Sequence, residues 1–205
     1  MSDPADARRR KILLGAITLP ALPVANAALL TPPASEGPFY PTTAMRHDDS
    51  DNDLVKIDGM VQQAGGEIVR LAGRVLDQRG QPLAGARVEI WQCDVTGRYL
   101  HRGDWGLSRR DPGFQGFGHA ISDNDGRYEF RTIKPVPYSG RTPHIHLKVW
   151  RGRSEVLTTQ LYLPDHPDNA GDWLYQRIPP QERQRVTMFF DQSASEPVAI
   201  VDLVV

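Results

Sequence analysis

The sequence predicts a mostly β protein: a β-sandwich core of antiparallel strands, with long irregular loops and little helix. Three observations point there. Runs rich in β-branched and aromatic residues recur at short spacing, at Ile68–Leu76, Ala86–Cys93, Arg127–Thr132, Ile145–Arg151 and Val156–Tyr162, each bounded by Gly, Pro, Asn or Asp. With 18 Gly and 17 Pro among 205 residues, the chain favours turns over long helices. In Ala86-Arg-Val88-Glu-Ile90 the alternation is strict, which sets Ala86, Val88 and Ile90 on one face toward a core.

Taken in order, Arg8-Arg-Arg-Lys11, an apolar run from Ile12 to Val24 and Ala25-Asn26-Ala27 have the basic, apolar, A-x-A layout of a cleavable export signal. Its adjacent arginines resemble a twin-arginine signal, so the expected location is the periplasm, with residues 1–27 removed. The apolar run is too short to span a bilayer comfortably, and no stable membrane association is expected after export. Residues 28–66, punctuated by Pro32, Pro33, Pro38 and Pro41, read as an irregular segment lining the site, and residues 67–205 as the β-sandwich domain. Asp77-Gln-Arg-Gly80 and Asp123-Asn-Asp-Gly126 read as turns. The latter lacks the later ligands of a calcium loop and is expected to be a hairpin turn. Pro179-Pro180 predicts the start of a short helix, and Val186–Phe190 and Val198–Val205 closing strands.

A net charge of −1 gives no reason to expect nucleic acid or an acidic membrane as partner. The single cysteine, Cys93, cannot form an intrachain disulfide and is expected to pack as a small hydrophobe. Chemistry concentrates instead in Tyr138-Ser-Gly-Arg141-Thr-Pro-His144-Ile-His146. On a strand, residues two apart point to one face, roughly 6.5 Å apart along the chain, so His144 and His146 can converge on one metal ion. Imidazole suits Zn, Cu, Fe and Ni alike. Tyr138, and more distantly Tyr99, add phenols. These are normally protonated and become good ligands for a strongly Lewis-acidic ion, a chemistry that favours Fe(III). With no cysteine near the cluster, structural zinc and iron–sulfur centres are disfavoured. His119 lacks a spaced partner, His47 and His166 lie in loops, and His101, two after Tyr99, could approach the site; all four are expected not to be ligands.

Several ordered motifs carry a resemblance. Trp91-Gln-Cys-Asp94-x-x-Gly97-x-Tyr99, Asp125-Gly126-x-Tyr128-x-Phe130-x-Thr132-Ile133-x-Pro135 and Tyr138 to His146 resemble the intradiol ring-cleavage dioxygenases. So do Glu36-Gly-Pro-Phe-Tyr40-Pro41 and Thr159-Gln160-x-Tyr162. The resemblance implies a non-haem Fe(III) centre held by Tyr99, Tyr138, His144 and His146. It implies a small-molecule catechol and O2 as partners, cleavage between the two hydroxylated carbons, and a muconate-type dicarboxylate as product. It further implies that Tyr138 takes a substrate proton, that Arg141 stabilises developing negative charge, that Gln160 orients groups near the iron, and that Gly37, Pro38 and Tyr40 line the substrate pocket.

The connection from Tyr138 to His144 is shorter than in the catechol and protocatechuate enzymes, so their substrate preference does not carry over. Homo-oligomerisation stays open. A competing resemblance runs through Gly73-Arg-Val-Leu-Asp-x-x-Gly80-x-Pro82-Leu-Ala-Gly85, which is similar to non-catalytic transthyretin-like sandwich modules. A third possibility is a zinc or copper protein using His144 and His146, against which the tyrosines count.

Overall fold

The computed structural model describes residues 28–205; the expected export signal lies outside the described residues. Two sheets pack face to face. One contains β1 (Ile68–Leu76), β4 (Arg127–Ile133), β7 (Phe190–Asp191) and β8 (Val198–Ile200) in the order β4-β1-β8-β7, with β9 (Leu203–Val204) also on β1. The other runs β3-β2-β5-β6, from β2 (Arg87–Trp91), β3 (Phe117–Ile121), β5 (His144–Arg151) and β6 (Ser154–Tyr162). Pairing is antiparallel except where β8 and β9 run parallel to β1.

The core lies between the sheets. Val88, Ile90, Ile145, Leu147, Val149 and Leu161 from one meet Leu71, Val75, Phe130, Ile133 and Ala199 from the other, all buried. Strict alternation on β2 and β5 makes this possible, because each strand presents its apolar residues to one side. The opposite side of the β3-β2-β5-β6 sheet is also covered. Residues 28–66 hold one short 3-10 turn, Thr43–Met45, as their regular element. From this segment Phe39 and Tyr40 pack onto a second buried cluster of Trp91, Cys93, Tyr99 and Phe117.

Three expectations need correction. The turn Asp123–Gly126 joins β3 to β4, which lie in different sheets, so it is an arch between layers rather than a hairpin. Asp123 Oδ1 accepts the backbone N–H groups of Asp125 and Arg127, and Gly126 takes φ +75°. Val186–Phe190 is not a continuous strand: Val186 ends the 3-10 helix Pro180–Val186, Thr187 makes a single bridge to Tyr162, and β7 starts at Phe190. The helix expected from Pro179-Pro180 is that 3-10 helix. Val198–Val205 is split in two at Val201-Asp202, where Asp202 turns its carboxylate to Arg74. Strand β3, whose Phe-Gly-His-Ala-Ile lacks a β-branched alternation, and the short helix α1 (Trp173–Gln176) had no forecast.

Candidate metal centre

The outer face of the β3-β2-β5-β6 sheet is set by register. Trp91 on β2 lies opposite His146 on β5, and His146 opposite Gln160 on β6; His144 lies opposite Tyr162. Both histidines are about 1% exposed. His146 stacks flat on Trp91, with ring centroids 4.8 Å apart and planes 10° apart. His144 donates from Nδ1 to the Thr142 carbonyl at 2.7 Å, which leaves the lone pair on its Nε2. That Nε2 lies 3.1 Å from the Nε2 of His146.

Two loops bring the phenols in. The first leaves β2 at Trp91. Buried Asp94 organises it, accepting from the Thr96 and Arg98 backbone N–H groups on Oδ1 and from Asp111 N–H on Oδ2. Gly97 takes φ +79° in this turn, a conformation glycine adopts without strain. Tyr99 follows, its backbone N–H held by Asp104 at 2.6 Å. The second loop holds Tyr138. The Arg141 N–H donates to the Tyr138 carbonyl at 2.7 Å across Ser139 and Gly140, which have φ +42° and +75°. Positive φ at both central positions marks the two-residue turn that matches strand twist. The short Tyr138–His144 connection is thus a tight hairpin that folds Tyr138 back over the histidines.

The four rings meet. Tyr99 and Tyr138 pack edge to face at 4.9 Å, Tyr99 and His146 at 5.9 Å, Tyr138 and His144 at 5.6 Å, and the two imidazoles at 4.7 Å. Burial first, then Arg141, holds the His144 pKa down to about 4; burial, His144 and Arg141 hold His146 well below its ordinary value. Both rings are therefore neutral, the form in which imidazole binds a metal. Burial pushes the Tyr99 hydroxyl well up and raises that of Tyr138, there partly offset by the neighbouring Tyr99 hydroxyl and then by Arg141. Protein alone keeps both phenols protonated.

A cation fits this set. The buried Tyr99 hydroxyl has no hydrogen-bond partner of normal geometry, and the Nε2 atoms of His144 and His146 face each other. Among the described residues, no group of three His, Cys, Asp or Glu gathers as a metal site. A metal held here would therefore draw on phenol oxygen as well as imidazole nitrogen, and that donor set suits a hard, strongly Lewis-acidic ion.

Behind the rings, Arg141 donates from Nε to Asp172 Oδ2 at 2.7 Å and from Nη2 to Gln160 Oε1 at 2.8 Å. Gln160 is fully buried, accepts also from the Tyr162 hydroxyl at 3.0 Å, and donates to the Ser35 carbonyl at 2.8 Å. Of the expected pocket residues, Gly37 lies closest to the centre: a Cβ there would come 3.2 Å from His146 Cε1. Pro38 is exposed at a turn. Tyr40 packs edge-on to Trp91 at 4.9 Å and donates its hydroxyl to Glu89 at 2.7 Å. The ring that faces the phenols is Phe39, 4.9 Å from Tyr99 and 6.1 Å from Tyr138. Phe39 and Asp172 escaped the sequence reading. Phe39 sits inside the Glu36–Pro41 motif, where its aromatic character was the available signal. Asp172 showed only as an acidic residue before Trp-Leu-Tyr, the pattern of a helix N-cap.

His101 comes within 5.7 Å of the Phe39 ring and accepts from the Gly103 N–H, whereas His47, His119 and His166 are not among the rings around the centre. Cys93 is buried among the site aromatics, its thiol pushed up to about 12 by burial first and then by Asp94. Cavities of about 290 Å³ and 360 Å³ border the rings, the first against Tyr138 and Arg141, the second against Tyr99 and His101. A larger cavity of about 730 Å³ lies elsewhere, against Arg74, His119 and Arg127.

A β-sandwich carrying two phenols, two imidazoles and an arginine about one buried point defines a class: proteins built to hold a hard metal ion between sheet and loops. Comparison with known proteins narrows the class. A family model described as Dioxygenase matches residues 35–204. The protocatechuate 3,4-dioxygenase beta chain of Burkholderia cepacia is 36% identical over 154 residues, 71% of this chain and 66% of that protein. Catechol 1,2-dioxygenase 1 of Acinetobacter lwoffii is 31% identical over 172 residues, 73% of this chain and 53% of that protein. The chain thus spans about half to two thirds of the length of these relatives.

Among solved structures, the dioxygenase domain of a dioxygenase carbohydrate-binding protein fusion from Streptomyces sp. SirexAA-E matches with a TM-score of 0.63 at 30% identity, covering 86% of this chain and 97% of that one. The intradiol ring-cleavage dioxygenase from Tetranychus urticae shares the fold, with a TM-score of 0.68 at 20% identity over 86% of this chain and 94% of its own. The chain belongs to the intradiol ring-cleavage dioxygenase family. That family typically uses non-haem Fe(III) and binds catechol-type substrates and O2.

Proposed function

We propose that this protein is a non-haem Fe(III) dioxygenase that cleaves a catechol-type ring between its two hydroxylated carbons. Both atoms of O2 enter the product, so catechol and O2 together account for every atom of a muconate-type dicarboxylic acid. The observation that carries this is the convergence of Tyr99, Tyr138, His144 and His146, with the two Nε2 atoms 3.1 Å apart. Iron, when bound, supplies the Lewis acidity that makes phenolate and catecholate good ligands.

The protein's own groups divide the remaining work. Tyr99 is 2% exposed, which suits a permanent ligand; Tyr138 is less buried and lines an opening together with Arg141, which suits a phenol that would exchange a proton with a catechol. Arg141, permanently cationic and lining the opening beside Tyr138, would stabilise negative charge that builds on the substrate. Gln160 holds one edge of that guanidinium. Phe39, with Gly37 and Pro38, would offer a flat wall to a planar ring, while Tyr40 packs on Trp91 and bonds Glu89.

The basic, apolar, A-x-A leader supports export to the periplasm, where the substrate would be a catechol met outside the cytoplasm. The test is oxygen uptake by Fe(III)-loaded protein with a panel of catechols, with mass analysis of products. One O2 consumed per catechol, giving a dicarboxylate heavier by two oxygens, is the expected result. Protein carrying one Fe(III) per chain yet inert to the whole panel refutes the proposal.

A further inference from the structure

Arg141 is anchored from outside its own loop. Thirty-one residues further on, Asp172 lies on the N-cap of α1 with its side chain fully buried. Its two oxygens are fully committed. Oδ1 accepts the N–H groups of Leu174 at 3.0 Å and Tyr175 at 2.9 Å, and Oδ2 accepts Arg141 Nε–H at 2.7 Å and the Thr142 N–H at 2.9 Å. Thr142 is also the residue whose carbonyl receives the His144 Nδ1–H, and its hydroxyl donates to Asn169 at 2.6 Å. One carboxylate therefore joins the helix, the arginine and the backbone that fixes the His144 tautomer.

We infer that Asp172 is a positioning residue: by holding Arg141 it fixes the guanidinium beside the candidate metal centre. This rests on the catalytic reading above. Nε–H donates to Asp172 and Nη2–H to Gln160, which ties the guanidinium along one edge, and Arg141 lines the 290 Å³ opening beside Tyr138. A guanidinium fixed on one edge presents the other without rearrangement, which is the condition for charge stabilisation to act during reaction. An arginine free to rotate would be drawn to solvent instead.

The discriminating variant is Asp172→Asn. Asparagine is a good N-cap and keeps Oδ1 for Leu174 and Tyr175, but it turns an NH2 toward two donors. Turnover per bound iron should fall about 10–100-fold, the range for residues that orient groups at a metal. Arg141→Ala should lose at least as much, and the double variant no more than Arg141→Ala alone. Multiplied losses in the double variant overturn the inference. A second readout needs neither iron nor turnover. In iron-free wild-type protein labelled with ¹⁵N-arginine, the Arg141 Nε–H should exchange slowly, and at least about 10-fold faster in Asp172→Asn. Fast exchange in wild type overturns the inference even if the variant fails to fold. Wild type that shows slow exchange but turns over no catechol refutes the catalytic reading and leaves the anchoring intact.

Discussion

Two buried polar clusters share one face of one sheet, and they differ in what completes them. Toward the far end of β5, the Glu89 carboxylate, 3% exposed, accepts from Tyr40 at 2.7 Å, Arg87 at 2.8 Å and Trp150 Nε1 at 2.9 Å. Beside it, Lys148 pairs with Glu36 and with Glu155 at 3.1 Å, its ammonium 4.2 Å from the Tyr40 ring centroid. Those charged groups satisfy one another, although His119 Nδ1, opposite Glu89 on β3, has no partner. At the near end, two positions along β5, the Tyr99 hydroxyl, Trp91 Nε1 and His146 Nδ1 have no partner. Each such atom costs about 1–3 kcal/mol. At one end the charges are paired within the chain, whereas at the other the Tyr99 oxygen and the two facing imidazole nitrogens are electron-pair donors that a cation would engage.

Substitutions at the two ends should therefore fail in opposite ways. The largest effect is expected from His146→Ala. Turnover should fall by well over the about 10–100-fold typical of residues behind the ligands. Iron content, measured by elemental analysis, should drop with it, while the iron-free protein melts within a few degrees of wild type. Retained iron would show that the histidine end is not the metal site.

Glu89→Gln should do the reverse, keeping iron and lowering stability by about 2 kcal/mol in urea, because it weakens hydrogen bonds to a buried charge. The same residue gives a pH signature. Burial works to raise its pKa, but hydrogen bonds from Arg87, Tyr40 and Trp150 outweigh it and hold the carboxyl below the ordinary 4.5. A depressed folded pKa means stabilisation that is present above about 4.5 and lost as pH falls through the lower folded value. Wild type should lose stability across that acid range, and Glu89→Gln less steeply; identical slopes would remove Glu89 from the account.

Gly37→Ala probes the boundary between the two ends. Its φ of +75° costs a side chain about 1–2 kcal/mol, and the new methyl would press on His146 Cε1. A lowered melting point with a shifted charge-transfer colour in the Fe(III) protein is the expected pair of changes. The smallest effect is expected from Tyr40→Phe, about 1 kcal/mol from the lost bond to Glu89. A changed KM for catechol in that variant would show that the ring also meets the substrate.

Local pattern made much of this legible. Strand β1 falls where its β-branched run places it, and β5 differs by one residue, starting at His144. His-x-His announced a shared face because a strand alternates by its covalent geometry. Where pattern was weak, so was foresight: Gly118 and His119 hid β3, and the apolar run at Val186–Phe190 looked like one strand although Val186 ends a 3-10 helix and only Phe190 enters β7.

The sequence by itself determined the β character, the order of the motifs and the types of donor: two phenols, two imidazoles and a guanidinium in a pattern that resembles one family. Those properties are local, written in alternation, turn residues and spacing. Only the tertiary structure decided that Tyr99, 45 residues before His144, closes on the same point, that Phe39 rather than Tyr40 faces the phenols, and that Asp172 anchors Arg141. These are contacts between segments whose separation along the chain carries no record of their meeting. Sheet register and loop packing set them, and both exist only once the two layers have come together.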